Sequence, residues 1–470
     1  MKSVEIPSSV VEIGKYAFAE CENLHSVSIP APVAKIGAYA FAWCLKITKI
    51  NLPETLTKIN DGTFYNCRIL RYVEIPAQVE SIGAYAYAGC PYIDKFTFKG
   101  NVKSFGQRAF YYDEDTERYF THISELDIPD YNAWSKATFN SHLSNPIRVA
   151  NTLKREGEVI TALDIDVPGD TISAYAFYGA NITDLKLNAK SIGSYAFYDC
   201  SNLKRIAFAT TPDYIGKNAF YGVYAANTEI PSANEWCLVE FYDNKSNPIS
   251  ISESFTINGM TPKHLVIDID GHQVSDYAFY GAKQLESIKV KASAIGNRSF
   301  YNASGVKNLY LDVDSLGSYA LSGAQALERI YVPRETPPTA TDDVFSKYKK
   351  VELYVPAGAV STYEGAETCW WRFLDVYESD FSDLTSIFGA DYSDNPIIGA
   401  VESVTRDDAK YEIQTDGEFV TLKGAEDADV YIYSISGALI YSGRGCYNVR
   451  LAPGIYVVKA DRFTTKFIMR

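Results

Sequence analysis

The segment Ile-Gly-x-Tyr-Ala-Phe, or a close variant, starts at Ile13, Ile36, Ile59, Ile82 and Phe105, each start 23 residues after the last. A fixed period of this length belongs to chains that grow by stacking one small unit on the next, because a single unit cannot bury its apolar face alone. The pattern resumes at Ile172, Ile192, Ile215, Val274, Ile295 and Leu316, with steps of 20 to 23 where nothing is inserted. A repeat over residues 1–379 therefore replaces the roughly three ordinary domains that 470 residues would otherwise suggest.

Upstream of each motif lies an alternating segment such as Leu24-His25-Ser26-Val27-Ser28-Ile29-Pro30. Leu24, Val27 and Ile29 would face a core and Ser26 and Ser28 solvent, and alternation over so few residues predicts a short strand. Proline follows at Pro7, Pro30, Pro53 and Pro76, where the missing N–H ends pairing. One short parallel strand per rung is expected. About fifteen of them at roughly 4.8 Å would make a curved sheet about 70 Å long, with the Tyr-Ala-Phe turns behind it.

A longer duplication overlies the short one. Ile128-Pro129, Trp134, Phe139, Ser144-Asn145-Pro146-Ile147, Gly157 and Tyr175-Ala176-Phe177 recur 102 residues later as Ile230-Pro231, Trp236, Phe241, Ser246-Asn247-Pro248-Ile249, Gly259 and Tyr277-Ala278-Phe279. Two enlarged rungs, near residues 126–179 and 228–281, are expected to carry equivalent hairpins after the Asn-Pro turn signal. An aromatic stretch from Leu353 to Phe373 breaks the pattern and reads as a cap near 351–379. Residues 380–400 read as a linker. Residues 401–470 read as a small antiparallel β-sandwich, from short apolar runs separated by Ser-Gly and Pro-Gly turns.

The unit Ile-Pro-x-x-Val-x-x-Ile-Gly-x-Tyr-Ala-Phe-x-x-Cys-x-x-Leu, seen from Ile29 to Ile47 with Ile47 in the last place, resembles the BspA-like leucine-rich repeat family of bacterial surface proteins. The Trp and Ser-Asn-Pro-Ile rungs are similar to a long repeat variant of that family. The resemblance implies a leucine-rich-repeat-like solenoid and residence outside the cell or on its outer surface. Val430-Tyr431-Ile432-Tyr433, Leu451-Ala452-Pro453-Gly454-Ile455-Tyr456 and the closing Lys466-Phe467-Ile468-Met469-Arg470 resemble the C-terminal sorting modules of Bacteroidetes-type secreted proteins. That likeness implies export. The opening Met1-Lys2-Ser3-Val4-Glu5-Ile6-Pro7 lacks the apolar run of a secretory signal and begins inside a repeat, so any native signal is expected to lie outside this chain.

Composition removes several function classes. With 44 Lys and Arg against 58 Asp and Glu the net charge is −14, which repels phosphate backbones and anionic headgroups, so neither nucleic acid nor direct membrane insertion is expected. Five histidines and three methionines leave few ligands for a metal or groups for base catalysis. His25, His122, His142, His264 and His272 show no nucleophile arrangement, and no catalytic residue, metal or cofactor is assigned. Ile267-Asp268-Ile269-Asp270-Gly271 lacks the later oxygen ligands of a calcium loop and reads as strand alternation. The acidic Asp113–Glu117 stretch reads as a lengthened, solvated turn. Cys21, Cys44, Cys67 and Cys90 stack at the repeat period on equivalent turns, where Ala180, Ala282 and Ala303 substitute, so free buried thiols are expected of the eight cysteines.

The outward strand position is not dictated by the core. It reads Glu5, Ser28, Asn51, Glu74, Thr97, Asp127, Asp166, Lys186, Ala207, Asp268, Lys289, Tyr310, Tyr331 and Tyr354. The last three form an aromatic column, and tyrosine gives large contact area at small entropic cost. Tyr310, Tyr331 and Tyr354 are the candidate binding residues; mutual stacking on a strand is the alternative account of them. The reading is a non-enzymatic recognition or adhesion protein presenting a concave repeat face to a host or neighbouring-cell protein or glycan. A structural stalk without a specific ligand, and a glycan-processing enzyme built on chance carboxylate pairs, are the alternatives.

Overall fold

The computed structural model describes residues 1–111, 121–382 and 384–392, and the segments 412–416, 419–423, 429–434, 439–451, 454–460 and 463–469. The Asp113–Glu117 stretch lies outside the described residues. Residues 1–228, 239–253 and 275–281 make one compact unit; 229–238, 254–274 and 282–470 make a second.

In the first unit the rungs contribute the expected parallel strands, except at the third, where Lys49 makes only an isolated bridge to Tyr72. Ser3–Glu5 pairs with Ser26–Ser28, and Tyr72–Ile75, Ile93–Phe98, Ile123–Asp127 and Ala150–Arg155 follow one another in parallel. Val27, Val73, Phe96, Leu126 and Leu153 point inward and are buried. A second column of two-residue strands comes from the motif isoleucine. Glu12–Ile13 pairs with Lys35–Ile36, and Lys58–Ile59, Ser81–Ile82, Ser104–Phe105 and Thr138–Phe139 form a second run.

The glycine after that isoleucine makes the second column possible. Its N–H donates to the isoleucine carbonyl one rung back, at 2.8 Å for Gly37 to Ile13 and 2.7 Å for Gly83 to Ile59. A Cβ on Gly83 would lie 2.5 Å from the Asp61 nitrogen and 2.6 Å from the Asn60 carbonyl carbon, so the neighbouring backbone leaves no room for a side chain. Asn60 occupies the glycine position of its rung, and there the column is interrupted between Lys35–Ile36 and Lys58–Ile59. Its side-chain amide donates to the Ile36 carbonyl at 2.6 Å, standing in for the backbone N–H.

The motif tyrosines close the turn in the left-handed region, with φ between 56° at Tyr39 and 65° at Tyr277. Such φ values are unfavourable for residues with a Cβ. The turn persists because alternate N–H groups reach the next rung: Tyr39 to Asp61, Phe41 to Thr63 and Trp43 to Tyr65, at 2.8 to 3.0 Å. Behind the turns the motif aromatics stack through the core, Phe18 on Phe41, Phe41 on Phe64, Phe64 on Tyr87 and Tyr87 on Phe110, with centroids 5.2 to 5.8 Å apart.

Tyr87 is the one tyrosine in that stack, and its buried hydroxyl finds no hydrogen-bond partner among the described residues. An unsatisfied buried hydroxyl costs about 1 to 3 kcal/mol. Tyr87→Phe is therefore expected to raise stability by about 1 kcal/mol, read as a higher denaturant midpoint; an unchanged or lower midpoint would mean that the hydroxyl is satisfied.

The enlarged rungs share one local design. Asn145 Oδ1 accepts from Ile147 N while its amide donates to the Tyr175 and Ala176 carbonyls; Asn247 does the same with Ile249, Tyr277 and Ala278, all at 2.7 to 2.9 Å. Glu156-Gly157 and Asn258-Gly259 both turn with two positive φ values, the type I′ geometry of a two-residue hairpin. The hairpin strand Ala150–Arg155 itself occupies a place in the parallel sheet, and Glu158–Val159 folds back against it in antiparallel fashion. The sheet therefore stops there, and a new one begins at Ala162–Ile172, which pairs onward with Asp184–Ile192. The uninterrupted sheet of about fifteen strands expected from the sequence is broken at the enlarged rungs for that reason, and once more at Lys49, where the rung makes only a single bridge. The exposed edge is protected by the preceding helix: Asn132 Oδ1 accepts from Asp166 N in the first unit, and Asn234 Oδ1 from Asp268 N in the second, both at 2.9 Å.

In the second unit His264–Val274, Ser287–Ile295, Asn308–Asp312, Arg329–Tyr331, Glu352–Val355 and Asp375–Glu378 pair in parallel, each with the next. The region expected as a cap thus supplies two further strands, joined by the short helices Val360–Glu364 and Cys369–Arg372 with Tyr363 and Trp370 buried. The C-terminal region holds a three-stranded and a four-stranded antiparallel sheet. They share one buried cluster of Val420, Leu422, Val430, Ile432, Leu451, Tyr456 and Val458.

Candidate functional site

The strand register of the second unit places Tyr310 beside Tyr331, Tyr331 beside Tyr354, and Tyr354 beside Tyr377. Lys289 precedes Tyr310 in the column, and its ammonium lies 5.0 Å from that ring. Sequence reading missed Tyr377, because the strand Asp375–Glu378 follows a helical insertion with no repeat motif to announce it. It also placed two outward residues in the wrong column. Lys186 pairs with Asp164 and not Asp166, and Lys289 with Val266 and not Asp268. Alternation assigns a face but cannot fix register in an eleven-residue strand.

Tyr331 stacks on Tyr354, Tyr377 is tilted against Tyr354, and the rings are unequally covered. Tyr331 and Tyr354 lie 4.8 Å apart at 11°, and Tyr354 and Tyr377 are 5.6 Å apart. Tyr331 is only 6% exposed, whereas Tyr377 is 46% exposed. An outward residue so deeply buried needs a cover. Residues 380–382 and 384–392, expected as the start of a linker, supply it: the Phe388 ring meets Tyr331 edge-on at 5.5 Å and Tyr310 at 5.9 Å, and Phe381 meets Tyr310 at 6.3 Å. The remainder of that linker, 393–400, lies outside the described residues.

Charge near the column is paired and modest. Arg329 Nε donates to Glu352 Oε2 at 3.1 Å, and the Tyr354 hydroxyl donates to the same oxygen at 3.0 Å. Burial first, and then the bond to Glu352, pushes the Tyr354 phenol above its usual pKa. Burial likewise raises Tyr310 and Tyr331, so all three hydroxyls keep their protons at neutral pH.

The other sequence features find structural roles. The Cys44, Cys67 and Cys90 thiols donate to the Phe18, Phe41 and Phe64 carbonyls at 3.2 to 3.3 Å. The seven cysteines with described side chains are free, Cys21 half-buried and the others buried. Burial pushes the Cys90 and Cys200 thiols up to about 12, the opposite of what a nucleophile needs. His142 stacks on Tyr178 at 5.0 Å, and His264 Nδ1 hydrogen-bonds Ser287 Oγ at 2.8 Å. Asp268 and Asp270 are exposed on a strand, Asp270 pairing with Lys291 at 3.1 Å. Among the described residues no three His, Cys, Asp or Glu side chains converge as a metal site, and no helix is long and apolar enough to cross a membrane.

No curated protein matches the chain. Among solved structures it is similar to a leucine-rich repeat protein from Bacteroides ovatus ATCC 8483, at 18% identity over 75% of this chain and 92% of that one, with a TM-score of 0.39. It is similar to a leucine rich cell surface protein from Faecalibacterium prausnitzii A2-165, at 22% identity over 70% and 82% of the two chains, with a TM-score of 0.31. It is also similar to the pneumococcal vaccine antigen PcpA, at 17% identity over 80% and 79%, with a TM-score of 0.28. The family model described as "BspA type Leucine rich repeat region" matches residues 1–117, 170–262 and 256–364, well over half the chain and the same rungs that carry the stacked turns. The chain belongs to the BspA-type leucine-rich repeat family.

Proposed function

We propose that this chain is a non-enzymatic recognition protein, exported or held at the cell surface, whose strand face binds a protein or a glycan. The observation that carries the reading is the tyrosine column on Arg329–Tyr331, Glu352–Val355 and their neighbours. Inward residues such as Leu309, Ile330 and Leu353 are fully buried and set by the core of the rungs, while the tyrosines lie on the opposite face of the same strands, where Phe388 covers Tyr331 and Tyr377 is exposed. In this reading the two C-terminal sheets serve as a sorting module during export, as the likeness of their sequence to such modules suggests. The close stacking of Tyr331 on Tyr354 favours a second reading, a surface stalk in which these rings only pack.

The test is binding to a glycan array and to a panel of host extracellular-matrix proteins, by the native chain and by the Tyr310→Ala/Tyr331→Ala/Tyr354→Ala variant. Removing an aromatic hot spot typically costs about 2 kcal/mol, so at least a tenfold loss of affinity is expected. Equal binding by the folded variant would remove the column from consideration. Panels that stay silent both for the native chain and for a folded variant lacking the Phe388 cover over Tyr331 would favour the stalk.

A further inference from the structure

We propose that the strand face between His264 and Glu378 is a docking groove for a peptide segment bearing spaced aromatic residues, and that residues 379–392 of this chain are its built-in occupant. The inference rests on the recognition reading above and names its partner class. The segment leaves the last strand with Ser379 N bonded to the Val355 carbonyl at 2.8 Å and then returns across the sheet. It is held there by contacts with separate strands. The Ser287 hydroxyl donates to the Ile387 carbonyl at 2.9 Å, in the strand next to the sheet edge. At the edge strand itself, Tyr392 takes the place of a missing neighbour: its hydroxyl accepts from Val266 N at 3.0 Å and donates to Val266 O at 2.6 Å. Asp391 Oδ2 accepts from Lys263 N at 2.9 Å just before that strand.

These bonds fix backbone and side chain together, and the aromatic rings supply the apolar contact. Phe388 and Tyr392 are 4% and 5% exposed, as deeply buried as core residues, although the helix Thr385–Phe388 is a single turn with little stability of its own. The seat is incomplete. Asn308, which pairs with Ser287 and Arg329 on the same face, has a buried Oδ1 with no donor among the described residues. An occupant that brings an N–H or O–H to Asn308 satisfies a group that residues 379–392 leave bare. A backbone carbonyl, a carboxylate, a phenol and two phenyl edges are polypeptide chemistry, which selects a peptide over a glycan. The tether gives the resident segment an effective concentration in the millimolar range, so a partner in trans must displace it.

The probe is a fluorescently labelled synthetic peptide of residues 379–392, titrated by anisotropy against the intact native chain and against the intact Phe381→Ala/Phe388→Ala variant. The opened variant is expected to bind it at least tenfold more tightly than the native chain, and a peptide carrying Phe388→Ala is expected not to bind. Tyr392→Phe, which removes the two bonds to Val266, provides a gentler opening if the double variant does not fold, and is expected to give a smaller gain of the same sign. No binding to either folded variant, equal binding to variant and native chain, or binding undiminished by Phe388→Ala in the peptide would overturn the proposal. If the peptide stays silent while an array ligand depends on Tyr310, Tyr331 and Tyr354, the groove assignment fails and the recognition reading stands. Peptide binding together with an array ligand indifferent to those tyrosines supports the groove and contradicts the recognition reading.

Discussion

Gly83→Ala is expected to destabilise the first unit by about 3 kcal/mol, while Gly14→Ala, at the same position of the repeat, is expected to change stability by less than about 0.5 kcal/mol. The difference is one of neighbours. A methyl group added at Gly83 would meet the backbone of Asn60 and Asp61, which is pinned by its own ladder and cannot move aside as a side chain would. Gly14 lies in the first rung, and a Cβ built there has nothing within 4 Å. Neither glycine has a positive φ, so alanine is conformationally allowed at both and the contrast isolates the inter-rung approach. Denaturant unfolding of the two variants measures it. Equal losses would mean that the glycine serves the turn of its own rung and not the contact between rungs.

Deleting residues 59–81, one 23-residue unit in phase, is expected to leave a folded chain, whereas deleting 59–70 is expected to abolish cooperative unfolding of the N-terminal rungs. The in-phase deletion joins Lys58 to Ile82, so the second strand column continues and Gly83 replaces Asn60 beside Ile36. Phe41 then meets Tyr87 in place of Phe64, and the aromatic stack closes. The half-unit deletion removes Phe64, Cys67 and Leu70, all fully buried, and moves the strand Tyr72–Ile75 into the place of a turn. Several buried side chains lost without replacement cost about 2 to 5 kcal/mol each, more than a marginally stable repeat segment can absorb. Far-ultraviolet circular dichroism during thermal unfolding separates the two outcomes; similar loss in both deletion variants would contradict independent stacking of rungs.

The repeat was legible because its cause is local. A period of 23 residues, the alternation around Val27 and the proline after it each follow from what one rung needs. The second strand column was not legible, since two residues such as Lys58–Ile59 are too few for an alternating pattern and the pairing depends on a glycine in the next rung. Nor were the sheet breaks, because nothing in Ala150–Arg155 marks it as a member of the parallel sheet and not as the start of an insertion. At the candidate site, alternation placed Tyr310, Tyr331 and Tyr354 on one face of three adjacent strands. The burial of Tyr331 came from elsewhere in the chain. The segment 380–392 is rich in Asp, Ser and Gly with no period, which reads as a linker, and only the folded sheet shows where Phe388 and Tyr392 are held.

Exposed charge explains less than its abundance suggests. Carboxylates and ammonium groups pair across successive rungs, as in Glu12 with Lys35 at 2.7 Å and Glu80 with Lys103 at 2.6 Å. Both partners are half exposed or more, and such pairs contribute at most about 1 kcal/mol each. Their place on the outward positions helps fix which rung lies beside which, while the stacked aromatics and the buried aliphatic ladder supply the stability.

The most direct measurement is the same glycan and matrix-protein panel read with three intact chains: native, opened by Phe381→Ala/Phe388→Ala, and opened with Tyr331→Ala and Tyr354→Ala added. Recognition by the tyrosine column predicts that at least one protein on the panel binds the opened chain at least tenfold more strongly than the native chain, and that adding the two tyrosine substitutions removes the gain. Binding that is indifferent to all four substitutions, or absent from all three folded chains, would contradict it.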